Sequence, residues 1–512
     1  MSVSMSARLR QGLRYALYAG LALAAGVLGN SILQSQATLY VAFDPRIFLN
    51  GIAVPLMLLA GLGLLGAWLD APNRPRWQGN SLRGLLLALL LVGLVETLRR
   101  TLGAGFALGG VLKLALMLGA IGAAGLAAWR LPVPSQWRLA SAMAIVLVLS
   151  YALHPGMPGY VAQALTTRPA SPVPSAPPGH LRRTIVLVLD EWDMEMALKA
   201  QQFDAPPLRA LLNQSFFAEH AMPGGPSTLS SIPSMLTGHR FGSVDRGGVG
   251  WLLNGKGERF DATSPSLFND LATQGIPFAV VGYYHDYCRL ASTARHCLAE
   301  PVSFFAGWPQ ELSRAWRVRR DFDDAYSDFL RQWSQTWTKL RADALKAAGD
   351  EDNAVVWLHV NVPHPPTAAP GVAPQSLATD YRANMALLQQ LVAEMTHRLA
   401  DGGSDVALIL TSDHWLRQHE LWAGIYAQQR GAGRGDAGKT DDQRVPYIVW
   451  FSRPSGEPVR LAEPVSTVSV RELVLGLAQR RLNSPAEVAN FLKARKDEVQ
   501  PFPSHSNSAS VH

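Results

Sequence analysis

One stretch of the chain constrains its fold more than any other, because a continuous apolar run leads directly into two adjacent acids. Residues 184–189 read Thr-Ile-Val-Leu-Val-Leu, and Asp190 and Glu191 follow them. A run of this kind, rich in β-branched residues, is typical of a strand buried on both faces of a parallel sheet. Open α/β sheets bind ligands outside the carboxyl ends of their strands, so both carboxylates are expected at a functional edge. The simpler alternative is a strand that ends in two solvated acids.

Two later stretches favour the functional edge. Residues 226–238 form a hydroxyl-rich turn, and residues 406–412 form a second apolar run that leads into Asp413 and His414. Carboxylates and an imidazole at strand ends are ligands that divalent Zn, Mn or Mg accepts in proteins, and the residues do not choose among these metals. We therefore expect one divalent metal ion, bound where four side chains converge: Asp190, Glu191, Asp413 and His414.

Together, these three stretches resemble the alkaline phosphatase/sulfatase superfamily, and the resemblance covers residues 182–480. It implies an α/β sulfatase-like (alkaline phosphatase-like) domain with a mostly parallel central sheet. Within the superfamily the chain is similar to phosphoethanolamine transferases and lipoteichoic acid synthases, which take a headgroup from a phospholipid. The implied reaction is a metal-dependent transfer or hydrolysis of a phosphoester.

Two family spacings select Thr228 as the nucleophile. Sulfatases place their modified residue nine positions before a Thr-Gly pair, and phosphoethanolamine transferases place a nucleophilic Thr five positions before a Pro. Thr228 has both spacings, to Thr237 and to Pro233. The resemblance makes Thr228 both nucleophile and metal ligand, since metal coordination activates a hydroxyl. The simpler alternative for Thr228 is a helix N-cap.

Two departures argue against hydrolysis of sulfate esters. A Thr cannot be the source of the formylglycine that sulfatases need, and Ile232 stands where sulfatases carry an arginine. A third departure leaves a catalytically inactive sensor or scaffold open, because Trp415 replaces the glycine that usually follows the His of the Asp-His pair.

Other candidate residues follow from the same resemblance. His364 lies in a Pro-His-Pro turn similar to the family segment whose His binds anionic oxygens of the substrate or serves as the acid. His285 follows a predicted strand and His359 lies within one. Both are weaker candidates for substrate contact, and a structural role is the alternative for both. Lys439 precedes an Arg-Val-Pro strand in the position of a basic family residue, and a solvated loop lysine is the alternative.

The first part of the chain predicts a membrane segment. Apolar stretches lie near residues 12–32, 47–69, 84–98, 105–128 and 139–153. Several have about the 20 residues that cross a hydrocarbon core of about 30 Å. Composition then divides the chain into a five-span transmembrane domain (1–153), a Pro-rich linker (154–181), a sulfatase-like domain (182–496) and a disordered tail (497–512).

Charge predicts the orientation of this segment. Eight arginines flank the predicted spans on one side, against three on the other, so the positive-inside rule places the N-terminus in the cytoplasm. The catalytic domain would then lie in the periplasm or outside the cell. An exported domain favours a disulfide between the two cysteines, Cys288 and Cys297.

The distribution of charge also bears on partners. Residues 1–153 hold 12 Lys and Arg against 3 Asp and Glu, whereas the rest holds 34 against 36. The basic excess therefore belongs to the membrane segment, which argues against nucleic acid as a partner. The expected partners are membrane lipids, with a phospholipid donor and an envelope lipid or glycan acceptor.

Overall fold

The structure is a computed structural model that describes the following residues: 5–23, 61, 63–66, 68, 75–101, 110–152, 181–241, 252–253, 259–260, 264–300, 321–372, 375–422, 441–453, 456–495, 499 and 502. Lys439 lies outside the described residues, as do most of the predicted linker and tail and large parts of the first two apolar stretches.

The described part of residues 1–153 contains the helices α1 (Met5–Leu23), α2 (Arg76–Thr101), α3 (Gly110–Arg130) and α4 (Val133–Ala152). Their apolar contacts include Leu87, Ala128 and Leu147, and the Tyr18 hydroxyl lies 2.6 Å from Ser141 Oγ. Within the described residues, no helix has both the length and the hydropathy of a membrane span. The five-span segment and the domain boundaries stay predictions.

The remainder alternates strands and helices. The strands are β1 (Arg183–Asp190), β2 (Ser215–Met222), β3 (Leu252–Leu253), β4 (Arg259–Phe260), β5 (Phe278–Tyr283), β6 (His296–Glu300), β7 (Val355–Pro363), β8 (Val406–Ser412), β9 (Val445–Phe451), β10 (Val459–Leu461) and β11 (Val465–Ser466). The helices are α5 (Met194–Lys199), α6 (Pro206–Leu212), α7 (Thr228–Thr237), α8 (Leu267–Thr273), α9 (Tyr287–Leu290), α10 (Asp321–Gly349), α11 (Leu377–Asp401), α12 (Val470–Ala478) and α13 (Pro485–Lys493).

Nine of these strands form one mixed sheet, in the order β10-β2-β9-β8-β1-β7-β5-β6 with β11 paired to β2. Within this sheet, as far as the structure describes it, β9 alone runs antiparallel to its neighbours, β2 and β8, so the predicted mostly parallel α/β sheet is confirmed. The strand that carries Asp190 lies in the middle, between β7 and β8. Leu189 pairs with Ser412 in register, which brings the acids after β1 and the Asp-His pair after β8 to the same edge.

The sheet separates two apolar cores, and β1 contributes to both. Val186 and Val188 face the core that holds α7, α8, α12 and α13, whereas Ile185, Leu187 and Leu189 face the core of α5, α6, α10 and α11. This alternation is the two-residue period of a strand covered on both faces, and it explains why the run in the sequence is continuously apolar.

A disulfide joins Cys288 in α9 to Cys297 in β6, as predicted, with the two Cα atoms 5.5 Å apart. The link fixes α9 against the edge strand. Tyr287, at the start of α9, is fully buried and extends toward the middle of the sheet, where its hydroxyl lies 2.8 Å from His359 Nδ1.

Candidate metal and nucleophile site

Besides Thr228, the sequence predicts four metal ligands, and three of these four come together at the carboxyl edge of the sheet. Asp190 ends β1, whereas Asp413 and His414 follow β8, and one ligand atom from each lies within 4.8 Å of the others. His414 Nε2 is 3.7 Å from Asp190 Oδ1 and 3.5 Å from Asp413 Oδ2. All three residues are buried, so the sheet rather than solvent determines their positions.

The tautomer of His414 suits a metal ligand. Its Nδ1 lies 2.9 Å from the carbonyl oxygen of Trp415, and a carbonyl only accepts, so Nδ1 carries the proton. Nε2 therefore presents a lone pair to the acids, which is the arrangement seen in histidines that bind metals. The Trp415 side chain faces away and stacks on Phe502 in the apolar core. Only its backbone oxygen takes part, so tryptophan at this position is compatible with the site.

Thr228 completes the group. It is the first residue of α7, and Ser227 holds the N-cap position, so the N-cap alternative for Thr228 is wrong. The Thr228 hydroxyl instead donates to Asp413 Oδ2 at 2.7 Å and lies 3.3 Å from His414 Nε2. Ser227 Oγ is directed to Ser230 Oγ at 3.3 Å, so the hydroxyl beside Thr228 does not join the group.

Further contacts fix the start of α7. Ser231 donates a hydrogen bond to the backbone oxygen of Asp413. His285 Nε2 lies 3.0 Å from the backbone oxygen of Thr228 and must donate to it. His285 therefore positions the Thr228 backbone, whereas the sequence predicted a possible contact with substrate.

The separations of these atoms fit a divalent ion. Metal bonds of about 2.0–2.2 Å in a tetrahedron place ligand atoms about 3.3–3.6 Å apart, which is close to the distances around His414 Nε2. Asp190 Oδ1 is buried and has no hydrogen bond within the described part of the chain. An acceptor of this kind is costly unless a ligand satisfies it.

The pKa values of the two aspartates also favour a divalent ion at this site. Burial raises the pKa of Asp190 well above its ordinary value, and the nearby charges of Asp413 and Glu191 raise it further. Burial alone would also raise the pKa of Asp413, but His414, His359 and the hydrogen bond from Thr228 outweigh burial and lower it. A dication would remove the repulsion between the two aspartates.

Glu191, the fourth predicted ligand, is outside the group of three. Its backbone is left-handed, with φ of 59°, and its carboxylate pairs with Arg417 and Trp422. Its Oε1 accepts from Arg417 at 3.1 and 3.2 Å, and its Oε2 accepts from Trp422 Nε1 at 2.7 Å. Glu191 Oε1 approaches His414 only on the Nδ1 side, at 3.9 Å, opposite the nitrogen that faces the aspartates.

His359 and His364 border the group from β7 and the turn after it. His359 Nε2 is 4.0 Å from Asp413 Oδ2, and His364 Nε2 is 4.0 Å from Asp190 Oδ2. Burial lowers the pKa of each histidine to about 3, so both are neutral at pH 7. His364 lies between the rings of Trp333 and Trp422, with centroid distances of 5.2 and 5.1 Å.

Sequence reasoning did not find Arg417, Trp422 or Tyr381. Arg417 and Trp422 belong to an irregular turn after β8, and Tyr381 lies in α11, where its hydroxyl donates to the Glu191 backbone oxygen at 2.7 Å. The only available signal was an arginine three residues beyond the Asp-His pair, and no periodic pattern marks such a position.

Comparison with known proteins identifies the family of the chain. The sequence profile of the Sulfatase family matches residues 183–479, which is more than half of the chain. No curated protein matches the sequence. The PsFucS1 sulfatase from Pseudoalteromonas sp. is 14% identical, with 59% of this chain and 68% of that chain covered and a TM-score of 0.42.

Two lipid-related proteins are also among the similar structures. Lipooligosaccharide phosphoethanolamine transferase A from Neisseria meningitidis is 15% identical, with 93% of this chain and 96% of that chain covered and a TM-score of 0.34. The lipoteichoic acid synthase LtaP from Listeria monocytogenes is 12% identical, with 58% and 72% covered and a TM-score of 0.34. On the extent of the profile match, the chain belongs to the sulfatase family.

Proposed function

We propose that the protein is a membrane-anchored, metal-dependent phosphoester transferase or hydrolase that acts outside the cytoplasmic membrane. It would move a phospholipid-derived headgroup, of the phosphoethanolamine or phosphoglycerol type, to an envelope lipid or glycan through an intermediate on Thr228. One observation carries this proposal: the Thr228 hydroxyl lies among Asp190, Asp413 and His414 at the N-terminus of α7.

The site residues suit a divalent ion, which would be held by Asp190, Asp413, His414 and Thr228. Such an ion makes a bound hydroxyl more nucleophilic and offsets negative charge on phosphoryl oxygens. The N-terminus of α7 adds a favourable field for the same anion.

Protein groups supply the remaining steps. Thr228 Oγ would attack phosphorus and give up its proton, and the diacylglycerol oxygen would leave and take up a proton to become free diacylglycerol. The oxygen of an acceptor hydroxyl or of water would then attack the same phosphorus and lose its proton, and Thr228 Oγ would leave and regain one. The Thr228 hydroxyl proton is held by Asp413 Oδ2 before attack. His364 is neutral at pH 7, so it would donate one hydrogen bond to a phosphoryl or leaving oxygen and would not act as an imidazolium acid.

The predicted membrane segment is a further reason to propose a lipid donor. Five apolar stretches and a Pro-rich link would keep the catalytic domain near the surface where phospholipid headgroups lie. A sulfatase reaction is disfavoured because a Thr occupies the nucleophile position, and Ile232 is fully buried in the apolar core.

Mass spectrometry tests the intermediate. The full chain in detergent, loaded with Zn²⁺ and mixed with phosphatidylethanolamine or phosphatidylglycerol, should gain a phospho-headgroup on the peptide that carries Thr228. Thr228→Ala should abolish the adduct. Ser227→Ala is the matched control and should keep it, since Ser227 Oγ is directed to Ser230.

The alternatives give other results. An adduct that persists in Thr228→Ala would show that Thr228 is not the nucleophile. A wild-type chain that binds no metal and forms no adduct would indicate a sulfatase-like sensor or scaffold without catalysis.

A further inference from the structure

We propose that Arg417 is the anion-binding side chain of this site and contacts a non-bridging oxygen of the substrate phosphoryl group, and that Glu191 and Trp422 hold it in place. The inference rests on the proposed function and adds to it a specific residue for substrate recognition. It also assigns to Glu191 a role other than metal binding.

The first observation is the way in which Arg417 and Glu191 pair. Arg417 Nε and Nη2 both donate to the same carboxylate oxygen, Glu191 Oε1. Trp422 Nε1 donates to the other oxygen, Oε2, and Arg417 does not form the side-on pairing with two parallel hydrogen bonds that Arg and carboxylate usually form. Within the described residues, Arg417 Nη1 makes no hydrogen bond.

The second observation is the turn that brings Arg417 and Trp422 together. Trp422 N–H donates to the Arg417 backbone oxygen at 3.0 Å, a five-residue hydrogen bond of the π type, in the turn Gln418–Trp422. An α-helical turn would instead have paired Trp422 with residue 418. The wider turn places the two side chains on the two oxygens of one carboxylate. Single π turns are frequent at functional sites.

The third observation is the backbone of Glu191. Non-glycine residues rarely adopt a left-handed conformation, and where they do, surrounding contacts must enforce it. Here Tyr381 donates to the Glu191 oxygen, and the Glu191 N–H donates to Asp413 Oδ1 at 3.1 Å. In this conformation the Glu191 carboxylate accepts from the Arg417 guanidinium.

The fourth observation concerns the positive charge of Arg417 and the solvent exposure of its side chain. Within the described residues, no other lysine or arginine forms an ion pair with Asp190, Glu191 or Asp413. The Arg417 side chain is 27% exposed, whereas that of Glu191 is fully buried. Arg417 is thus anchored on a buried acid, and part of its side chain is exposed to solvent. Its planar fork suits the oxygens of a phosphoryl group, so the ligand class is a phosphate monoester or diester anion.

Binding of inorganic phosphate tests the inference without turnover. The full chain in detergent, loaded with Zn²⁺, would be titrated with inorganic phosphate in a calorimeter, and its zinc content would be measured by mass spectrometry. Arg417→Gln should keep the zinc content and raise the Kd for phosphate about tenfold or more, as expected for a lost charge-assisted hydrogen bond. Arg417→Lys should be intermediate, because a single ammonium cannot reproduce the fork.

Two more variants test how Arg417 is held. Glu191→Gln should keep its zinc and weaken phosphate binding, because Glu191 acts through Arg417. Trp422→Phe keeps an aromatic ring beside His364 but frees Glu191 Oε2, so it should also weaken phosphate binding. Arg444→Gln is the matched control, because Arg444 is 29% exposed and pairs with Asp442. It should bind zinc and phosphate as the wild type does.

Several results would overturn the inference. One is an unchanged affinity for phosphate in Arg417→Gln. Another is a loss of zinc from Glu191→Gln or Arg417→Gln. A third is the absence of phosphate binding by the zinc-loaded wild type. If Arg417→Gln does not fold, Arg417→Lys and Trp422→Phe provide the test. Wild-type affinity for phosphate in both of these variants would overturn the inference. The proposed function fails separately, if no adduct forms on Thr228 while the Arg417 variants still weaken phosphate binding.

Discussion

Asp413 connects more of the site than any other single residue. Its Oδ2 accepts from Thr228, its Oδ1 accepts from the backbone N–H groups of Glu191 and His414, and its own carbonyl accepts from Ser231. The side chain thus orders the nucleophile and the turn after β1 while it offers a metal ligand. Few of these roles need its charge.

Replacing Asp413 by Asn removes the negative charge and keeps a side chain of nearly the same shape. Asp413→Asn keeps an oxygen acceptor for the backbone N–H groups, so we expect the fold to persist. Metal affinity should fall more than the roughly 10- to 100-fold that loss of an outer-shell partner costs. Zinc content and circular dichroism of the purified variant check this. Full zinc occupancy in Asp413→Asn would contradict the assignment of Asp413 as a ligand.

Asp193 gives a pH-dependent prediction away from the metal group. It caps α5, where its Oδ1 accepts from Met196 N–H at 2.8 Å. Burial raises the pKa of Asp193 from 3.8 to about 8, so the folded chain holds this proton more tightly than the unfolded chain. Its contribution to stability is therefore complete below about pH 4 and is lost as pH rises toward 8.

The variant Asp193→Asn isolates this contribution, since Asn is an equally good N-cap without a titrating proton. The free energy of unfolding of the wild type, relative to the variant, should decrease by about 1.4 kcal/mol per pH unit between pH 4 and 8. Urea unfolding at several pH values measures it. A difference that is constant with pH would show that Asp193 titrates alike in both states.

At the scale of elements, strands were easier to predict than turns. The apolar runs of β1 and β8 mark buried parallel strands, so sequence alone places Asp190, Asp413 and His414 at one edge. Their convergence follows from topology, because parallel neighbours end together. The place of Thr228 came from family spacing instead, since nothing in a hydroxyl-rich turn specifies which oxygen faces the metal group.

Glu191 could not be placed in this way. Its left-handed conformation depends on Tyr381, which is 190 residues away in sequence, and on Arg417 and Trp422 beyond β8. Local propensity disfavours that conformation for a glutamate, so no local pattern signals it. Adjacent acids after a strand looked alike in sequence, although one faces the metal group and the other faces an arginine.

The disulfide allows a prediction about α9 and β6. It closes a loop between residues nine positions apart, and a loop of about this size stabilises a folded chain by about 2–3 kcal/mol. The double variant Cys288→Ala, Cys297→Ala should lose about that much stability in thermal unfolding. Treatment of the wild type with a reductant should give the same loss. If neither change alters unfolding, the two thiols are not paired in the protein.

At the scale of the whole molecule, the predicted membrane segment would decide which substrates the site can meet. The Asp-Asp-His group and Thr228 define a chemistry, but a phospholipid donor requires the catalytic domain to lie on the membrane surface outside the cytoplasm. The prediction that the domain lies there rests on the five apolar stretches and on the arginines that flank them. The orientation therefore deserves a direct measurement independent of enzymatic activity.

Reporter fusions measure that orientation. A reporter enzyme that works only outside the cytoplasm should be active when fused after residue 160, since the positive-inside rule places eight flanking arginines in the cytoplasm. The same reporter fused after residue 75, between the second and third stretches, should be inactive and serves as the control. A cytoplasmic fluorescent reporter should show the reverse pattern. Activity after residue 75 with none after residue 160 would invert the topology and leave the site without access to its proposed lipid donor.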